Sequence, residues 1–198
     1  MTAVWTAQAS LITQAAPFAI RAERASDVTA REGLLDACFG ENRHMRTCQR
    51  LRDGRAPAAG LALSAVCKGK LVGTVRLWHV SAGGIPALVL GPLAVDSACR
   101  KRKVGAALMA QALAAARARG HRAVLLLGDA PYYGRFGFSE AKTGALALPG
   151  EYEPERLIAL ELEEGALDGA WGMIVATGAS ARKPAGNRKA GRLVPQAA

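Results

Sequence analysis

Four consecutive basic residues, Arg100 to Lys103, follow an apolar stretch and directly precede an amphipathic helical pattern. Backbone N–H groups in the first turn of a helix have no partner within the helix, and the helix dipole adds positive charge at that end. Charge and free donors therefore converge on one spot that suits a pyrophosphate. Gly105 and Ala107 keep this face of the helix small, so a ligand can approach closely. A solvated basic loop before an ordinary helix is the alternative.

A second informative segment follows the helix. Residues 122–128 form a continuous apolar run, typical of a buried parallel strand, and Asp129-Ala-Pro-Tyr-Tyr-Gly-Arg-Phe-Gly-Phe138 comes next. The order strand, basic loop, helix, strand, Tyr-x-Arg-x-Gly-Phe resembles the GNAT superfamily of acetyl-CoA-dependent N-acetyltransferases, and within it the subgroup of predicted N-acetyltransferases. The resemblance spans residues 18–177, and its specific motifs lie within residues 90–138.

The family's motif after its fourth strand, Arg/Gln-x-x-Gly-x-Gly/Ala, binds the CoA pyrophosphate. Counting from Val95 places Arg100 at the Arg/Gln position and Gly105 at the second Gly. Lys103 then stands where the first Gly usually is. A later register, Arg102 to Ala107, matches the pattern literally but lengthens the loop by two residues, and we prefer the first. We expect ordinary backbone dihedrals at Lys103, which would weaken its amide as a phosphate ligand.

The resemblance implies acetyl-CoA as cosubstrate and two stretches of cofactor-binding residues. The first lies on the fourth strand, where a bulge would leave amides free to bind the thioester oxygen: Leu93, Ala94 and Val95. The second is the loop and helix start: Arg100, Lys101, Arg102, Lys103, Val104, Gly105, Ala106 and Ala107. The three histidines and four cysteines show no metal-ligand spacing, so no metal site is predicted.

Tyr133 falls on the tyrosine of the family's Tyr-x-x-x-Gly-Phe, which implies a catalytic role at the departing CoA thiolate. A phenol with a pKa near ~10 is a weaker acid than a thiol near ~8.5, so full proton transfer is uphill by about 2 kcal/mol. We therefore expect a hydrogen bond to the thiolate. A packed aromatic ring is the alternative for Tyr133 and the preferred interpretation for Tyr132.

The sequence does not identify the general base that would accept the amine proton. The polar candidates are Asp96, Asp129, Glu41 and His79. The acceptor itself would contact residues 40–59, which are rich in Arg, Gly and Pro and show only a short helical pattern around residues 43–52.

These residues require an α/β (α+β) scaffold. The patterns predict strands at 18–22, 61–67, 71–80, 87–95, 122–128, from Phe138 and at 156–162, and helices at 27–39, 103–119 and 131–136. Residues 170–177 fit a further strand or a helical turn. Ser26-Asp27 is an N-cap, Lys68-Gly69 a hairpin turn, and Gly91-Pro92 an irregularity. The resemblance implies the GNAT fold: a mixed sheet of about seven strands, splayed between the fourth and fifth and flanked by helices.

Length and composition suit one domain, since 198 residues with 51% hydrophobic content can bury a full core. We divide the chain into an N-terminal extension (1–17), the acetyltransferase domain (18–177) and a basic tail (178–198) expected to be disordered. The tail holds five of the excess positive charges out of a net +10, and the cosubstrate accounts for the rest, so nucleic acid is not needed as a partner. Scattered cysteines and the lack of a signal or membrane span predict a cytoplasmic protein.

The predicted function is an N-acetyltransferase that moves an acetyl group from acetyl-CoA to an amine of a small molecule or peptide by direct attack. A non-catalytic acyl-CoA-binding module is the alternative, and Tyr133 argues against it because a binder needs no partner for a thiolate. A nucleic-acid-binding protein ranks third, since only charge supports it. The acceptor stays unidentified, and a homodimer stays open.

Overall fold

A computed structural model describes residues 18–181. The N-terminal extension, 1–17, and residues 182–198 of the tail lie outside the described residues. The strands are β1 Ala19–Ala22, β2 Ala62–Cys67, β3 Lys70–Ala82, β4 Ile85–Val95, β5 Ala123–Leu127, β6 Leu146–Ala147, β7 Leu157–Glu161 and β8 Gly172–Ala176. The α-helices are α1 Val28–Phe39, α2 Val104–Ala118 and α3 Ala130–Gly134. Short 3₁₀ helices span Ala25–Asp27, Glu41–Met45, Thr47–Leu51, Ser97–Arg102 and Pro154–Arg156.

The strands form one mixed sheet in the order β1-β2-β3-β4-β5-β7, with β8 pairing β3 and β6 pairing β8. The pairs along the main path are antiparallel except β4 with β5, which is parallel. This architecture confirms the predicted fold class, with eight strands where about seven were expected. Within residues 18–181 no helix combines the length and hydropathy of a membrane span.

The predicted irregularity at Gly91-Pro92 is a bulge in β4. Leu77 pairs with Leu90 and Val75 with Leu93, so two residues of β4 lie opposite Arg76 alone. On its other side β4 pairs with β5 only through Leu88 and Val89. Beyond the bulge the two strands separate, which confirms the predicted splay between the fourth and fifth strands.

Helix α2 packs on the sheet through a buried stripe, as its periodicity predicts. Val104, Leu108 and Ala112 are fully buried, and Ala115 lies at the edge of the stripe, half-buried. Gly73 on β3 allows this close packing, because a Cβ there would lie 2.9 Å from Leu108 Cδ1. The lack of a side chain at Gly73 thus sets the distance between α2 and the sheet.

Three predicted elements differ in the structure. The short helix around 43–52 is a pair of 3₁₀ helices, because Arg46 between them has an extended backbone. The strand from Phe138 is reduced to one bridge, Ser139 with Ala159, since the chain turns at 140–145 before reaching β6. Residues 170–177 contain the strand β8, Gly172–Ala176, so the choice between a strand and a helical turn falls to the strand.

The first residues of the predicted tail contact the domain. The amide of Ala56 donates to Ala179 O at 2.8 Å, and the amide of Ala181 donates to Gly54 O at 2.8 Å. Arg55 also donates to Gly178 O at 2.8 Å. Residues 178–181 therefore pair with the 54–56 segment.

Asp27 precedes α1 as predicted, but its carboxylate does not cap that helix. It accepts two bonds from the Arg21 guanidinium, at 2.6 and 2.8 Å, one from the Arg24 amide at 2.8 Å and one from Ser64 Oγ at 3.1 Å. The bond from Arg21 is the largest influence, and it holds the pKa of Asp27 well below its ordinary value against the opposing effect of burial. This carboxylate therefore fastens the start of α1 to β1 and β2.

We predict that Asp27→Asn lowers the free energy of unfolding at neutral pH by about 2–3 kcal/mol, the usual contribution of hydrogen bonds to a charged group. A carboxyl group whose pKa is lower in the folded than in the unfolded protein contributes its full stabilisation of the fold above its unfolded pKa, about 3.9. It loses that contribution as the pH falls through its folded pKa. Urea titrations of both proteins should therefore converge as the pH is lowered below about 4.

Asp36→Asn is the matched control, because Asp36 is an exposed carboxylate of the same helix, paired with Arg43. It should cost about 0.5 kcal/mol or less, as surface ion pairs do. Equal losses in the two variants would show that the Asp27 network does not anchor α1.

Candidate active site

Two cavities meet at the splayed end of β4. The larger, about 1100 Å³, lies among the 3₁₀ segments at 41–51, the β4 bulge, the end of β5 and residues 150–156. The smaller, about 230 Å³, lies between the end of α1, the last residues of β4 and the start of α2. Phe39, Leu93, Tyr132 and Tyr133 line both cavities. Ligands bound in the two cavities would therefore contact each other beside Leu93, Tyr132 and Tyr133.

The start of α2 borders the smaller cavity through Gly105 and carries open amide donors. The amide of Ala107 is bonded within the helix, to Lys103 O at 3.0 Å, so the amides of the preceding turn, Val104 to Ala106, have no partner within the helix. A Cβ on Gly105 would lie 3.3 Å from Tyr132 Oη and 3.4 Å from Val95 Cγ2. The helix end is thus packed tightly beside β4, with its dipole directed at the cavity.

The four basic residues do not lie on the simple loop that the sequence indicates. Arg100, Lys101 and Arg102 lie on the 3₁₀ helix Ser97–Arg102, and Lys103 joins it to α2. All four residues are exposed, and Arg100 also lines the smaller cavity. Val104 is fully buried in the core, which leaves only its backbone available to a ligand.

The expectation of ordinary dihedrals at Lys103 is wrong. Its φ is +59° and its ψ is 18°, the left-handed conformation that glycine adopts most readily. The sharp turn between the 3₁₀ helix and α2 requires this conformation, whichever residue occupies the position. Lys103 therefore adopts a backbone conformation that favours glycine, which is compatible with the register that begins at Arg100.

The amides of β4 alternate between β3 and the gap. The amide of Asp96 donates to Val72 O on β3 at 2.9 Å. Alternation in an antiparallel ladder then places the amide of Ala94 on the β3 side and those of Leu93 and Val95 on the opposite side. Because β5 has separated from β4 there, the gap contains two strand amides that have no strand partner among residues 18–181.

Tyr133 lies where the two cavities meet and packs against the core. Its ring centroid is 6.1 Å from that of Phe138 and 4.9 Å from that of Tyr132. Within residues 18–181 its hydroxyl has no hydrogen-bond partner. Burial, with smaller contributions from Tyr132 and Asp129, raises its pKa above the ordinary value for tyrosine. The hydroxyl is therefore protonated at neutral pH and can donate.

Tyr132 has different surroundings. The Arg135 guanidinium lies 3.8 Å from its ring centroid, and its hydroxyl is close to Gly105, at the start of α2. The two neighbouring tyrosines thus direct their hydroxyls to different environments.

Of the four base candidates, only Asp129 lines the larger cavity. Asp96 accepts a bond from the Ala98 amide at 2.9 Å and so begins the 3₁₀ helix that follows β4. Glu41 is exposed and lines neither cavity, and the ring of His79 lies 5.3 Å from that of His121. Within residues 18–181 no group of His, Cys, Asp and Glu is arranged to hold a metal ion.

Several charged residues of the larger cavity were not predicted. They are Arg43, Arg46, Arg50, Arg52, Glu151, Glu153 and Arg156. The density of arginines at 43–52 is the one signal in the sequence that could have indicated four of them. The acids at 151 and 153 are distant in sequence and reach the cavity only through the fold.

The sequence is similar to that of a known protein family. The sequence model of the Acetyltransferase (GNAT) family matches residues 29–138. A search of curated protein sequences found no match.

Solved structures with the same fold include a GNAT family N-acetyltransferase, YhbS, from Escherichia coli in complex with CoA. It is 28% identical, with a TM-score of 0.69, over 82% of this chain and 91% of that one. A GNAT family acetyltransferase from Brucella melitensis in complex with acetyl-CoA is 26% identical, with a TM-score of 0.55, over 75% of this chain and 98% of that one. An acetyltransferase of the GNAT family from Staphylococcus aureus, 17% identical with a TM-score of 0.53 over 74% of this chain and 99% of that one, shares the fold.

The position of Tyr133 depends on Gly128 at the end of β5. A Cβ on Gly128 would lie 2.4 Å from Tyr133 Cε2 and 2.8 Å from Leu126 Cδ1. We predict that Gly128→Ala forces the ring to move and lowers the free energy of unfolding by about 1–3 kcal/mol, as overpacked sites do. Denaturant titration measures the loss.

Gly134→Ala in α3 is the control, because a Cβ there meets nothing within 4 Å. It should be neutral or slightly stabilising, since alanine favours helix over glycine. A Gly128→Ala protein as stable as the wild type would contradict the close packing of this ring.

Proposed function

Because the chain belongs to the GNAT family of acetyltransferases, whose model matches residues 29–138, we propose that it is an N-acetyltransferase that uses acetyl-CoA and acetylates an amine of a small molecule or peptide by direct attack. The observation that carries the proposal is the junction of the two cavities at the splayed end of β4. The smaller cavity would receive the cosubstrate and the larger one the acceptor.

The start of α2 would bind the cosubstrate. The pyrophosphate of acetyl-CoA would accept hydrogen bonds from the open amides of Val104, Gly105 and Ala106. Arg100 lies at the cavity wall, and Lys101 to Lys103 are nearby in the chain. The relatives from Escherichia coli and Brucella melitensis, crystallised with CoA and acetyl-CoA, support this assignment. The gap between β4 and β5 would take the arm that carries the thioester.

In the reaction the nitrogen of a neutral amine bonds to the thioester carbonyl carbon, the carbon–sulfur bond breaks, and the amine gives up one proton. The amides of Leu93 and Val95 would donate to the oxygen on which negative charge develops. Both amides point into the gap, and no strand of the described part of the chain competes for them.

Tyr133 would donate a hydrogen bond to the departing thiolate. Its raised pKa keeps the hydroxyl protonated and makes it a poor acid, so it stabilises the thiolate without surrendering its proton early. Solvent can then supply the proton that yields the free thiol.

We assign the role of proton acceptor to Asp129. It is the one base candidate that lines the larger cavity, and its charge contributes to the raised pKa of Tyr133. An amine bound beside the junction would pass its proton to this carboxylate directly or through a water molecule.

The alternative is a module that binds acyl-CoA without catalysis. Such a protein would need the smaller cavity but neither the acceptor cavity nor a donor for a thiolate. Release of free thiol from acetyl-CoA in the presence of a panel of amines tests the proposal directly. Amine-dependent release supports an acetyltransferase, whereas binding of acetyl-CoA without release for any amine supports the module.

We predict that Gly105→Glu weakens acetyl-CoA binding by at least about tenfold, the loss of one charge-assisted hydrogen bond. The new side chain places bulk and negative charge at the helix start, beside Tyr132 and Val95. Isothermal titration measures the change, and a thermal melt checks folding.

Ala114→Glu provides the control on the same helix, since Ala114 is exposed and lies about two and a half turns further along, on the opposite face of the helix. It should bind acetyl-CoA as the wild type does. A folded Gly105→Glu protein with wild-type affinity would place the cosubstrate elsewhere.

We predict that Tyr133→Phe lowers kcat by a factor of about 10² or less. This factor is at the low end for residues that transfer a proton, because the substitution removes only a hydrogen bond. The ring and its packing survive, so acetyl-CoA affinity should hold. The rate is measured at saturating acetyl-CoA with an amine identified in the panel.

Tyr132→Phe is the neighbouring control, because its hydroxyl lies near Gly105. It should leave kcat nearly unchanged. Full activity in Tyr133→Phe would show that another group serves the thiolate, and a loss confined to Tyr132→Phe would shift the assignment by one residue.

A further inference from the structure

We propose that the acceptor carries a compact anionic group close to its reacting amine, and that Arg52 binds this group. The inference rests on the proposed acetyl transfer and names the class of acceptor. Amino acids, or molecules that present an amine and an anion in a similar arrangement, fit this description.

Arg52 lies beside the β4 bulge, on the wall of the larger cavity. Its Nη1 is 3.9 Å from the position that a Cβ on Gly91 would occupy. Gly91 is two residues before Leu93, where the two cavities meet. The guanidinium is therefore close to the point at which the amine and the thioester would react.

The terminal nitrogens of Arg52 have no protein partner within residues 18–181. Its Nε donates to Cys48 O at 3.1 Å, and no carboxylate of the described residues lies within 4.0 Å of the guanidinium. The group is half-buried, and burial lowers its pKa below the ordinary value for arginine. A half-buried cation is costly unless it is paired, and a planar guanidinium pairs best with a carboxylate or phosphate through two parallel bonds.

Other arginines that are not exposed show that this chain usually pairs them. Arg21, Arg31, Arg43 and Arg76 each contact at least one carboxylate. Arg55 donates to a backbone carbonyl, outside both cavities. Arg52 is thus the cavity arginine, among residues 18–181, that is both half-buried and without an acidic partner.

Two exposed arginines of the same segment reinforce the positive potential. Arg46 and Arg50 line the larger cavity, and each donates to a backbone carbonyl, Phe39 O at 3.3 Å and Pro149 O at 2.9 Å. Within residues 18–181 neither has a carboxylate within 4.0 Å. Their charge would attract an anionic acceptor to the entrance of the cavity.

The acids of the cavity come from other parts of the chain. Asp129 follows β5, and Glu151 and Glu153 belong to the loop before β7. Glu153 is 3.6 Å from Arg156, which leaves Asp129 and Glu151 for an amine. A molecule with a cationic or neutral amine at one end and an anion at the other matches this division of charge.

The experiment compares amino acids with their C-terminal amides as acceptors, pair by pair, using thiol release from acetyl-CoA. An aminoalkyl phosphate, phosphoethanolamine, is included to distinguish a phosphate from a carboxylate. At neutral pH the amides have the larger fraction of neutral amine, so a preference for the acids would run against the availability of the nucleophile. We expect kcat/KM to favour the anionic member of each pair by at least about tenfold, the contribution of one charged hydrogen-bonded pair.

Arg52→Gln should remove this preference, lowering kcat/KM for anionic acceptors while leaving the neutral amides unchanged. Arg52→Lys should restore part of it. Arg55→Gln, which removes a charge outside the cavity, should behave like the wild type. Equal use of acids and amides by the wild type, or an equal loss for both in Arg52→Gln, would overturn the inference. So would weaker acetyl-CoA binding in Arg52→Gln, because Arg52 would then serve the cosubstrate.

A binding measurement keeps the inference separate from catalysis. N-acetyl amino acids and their neutral amides are titrated into the CoA-loaded protein by calorimetry. Tighter binding of the acids, lost in Arg52→Gln, supports the anion site even if no amine releases thiol and acetyl transfer fails. Equal binding of acids and amides refutes the anion site even if amines are acetylated.

Discussion

The separation of β4 from β5 is the constraint on which the rest of the site depends. Two parallel pairs, at Leu88 and Val89, hold the strands together, and the bulge at Gly91-Pro92 then turns β4 away. A parallel sheet that stayed closed would use every amide of β4 in ladders and leave no space for a ligand. Because it opens, the amides of Leu93 and Val95 face a gap, and both cavities reach the same point.

The opening is kept from collapsing by tight packing on either side. Tyr133 rests on the bare backbone of Gly128, and the start of α2 lies against Val95 and Tyr132 with Gly105 at the contact. In each place a methyl group would meet an atom at 3.4 Å or less. Glycine at these positions lets aromatic rings and a helix end approach the strands closely, so the walls of the gap are closely packed.

Ion pairs fix α1 to the sheet, whereas Arg52 on the wall of the larger cavity can bind an anionic ligand. Glu23 pairs with Arg31 and Arg76, and Arg43 pairs with Glu32 and Asp36. These pairs hold α1 and the segment that follows it against the sheet. Arg52, a few residues further along, is left without an acidic partner within residues 18–181. The difference separates arginines that build the fold from one that is available to a ligand.

The sequence alone determined the features that depend on local pattern. Alternation and apolar runs predicted most of the strands, a stripe of small and aliphatic residues predicted the contact face of α2, and proline in β4 predicted the irregularity there. The same local signals located the basic segment and the tyrosine motif, which is why the proposed cosubstrate residues could be named at once. Lys103 was misjudged because its left-handed conformation comes from the junction of two helices, not from the residue itself.

Tertiary structure decided everything that requires segments far apart in the chain to meet. The larger cavity combines residues 39–52, the β4 bulge, Asp129 and residues 150–156, and no periodicity connects these stretches. Whether a given arginine is paired depends on which carboxylate the fold brings within reach, so Arg43 and Arg52 look alike in sequence and differ in the structure. The sequence therefore specified most of the strands and helices and the motifs of the proposed cosubstrate site, whereas the proposed acceptor site and its charge arise only where distant loops pack together.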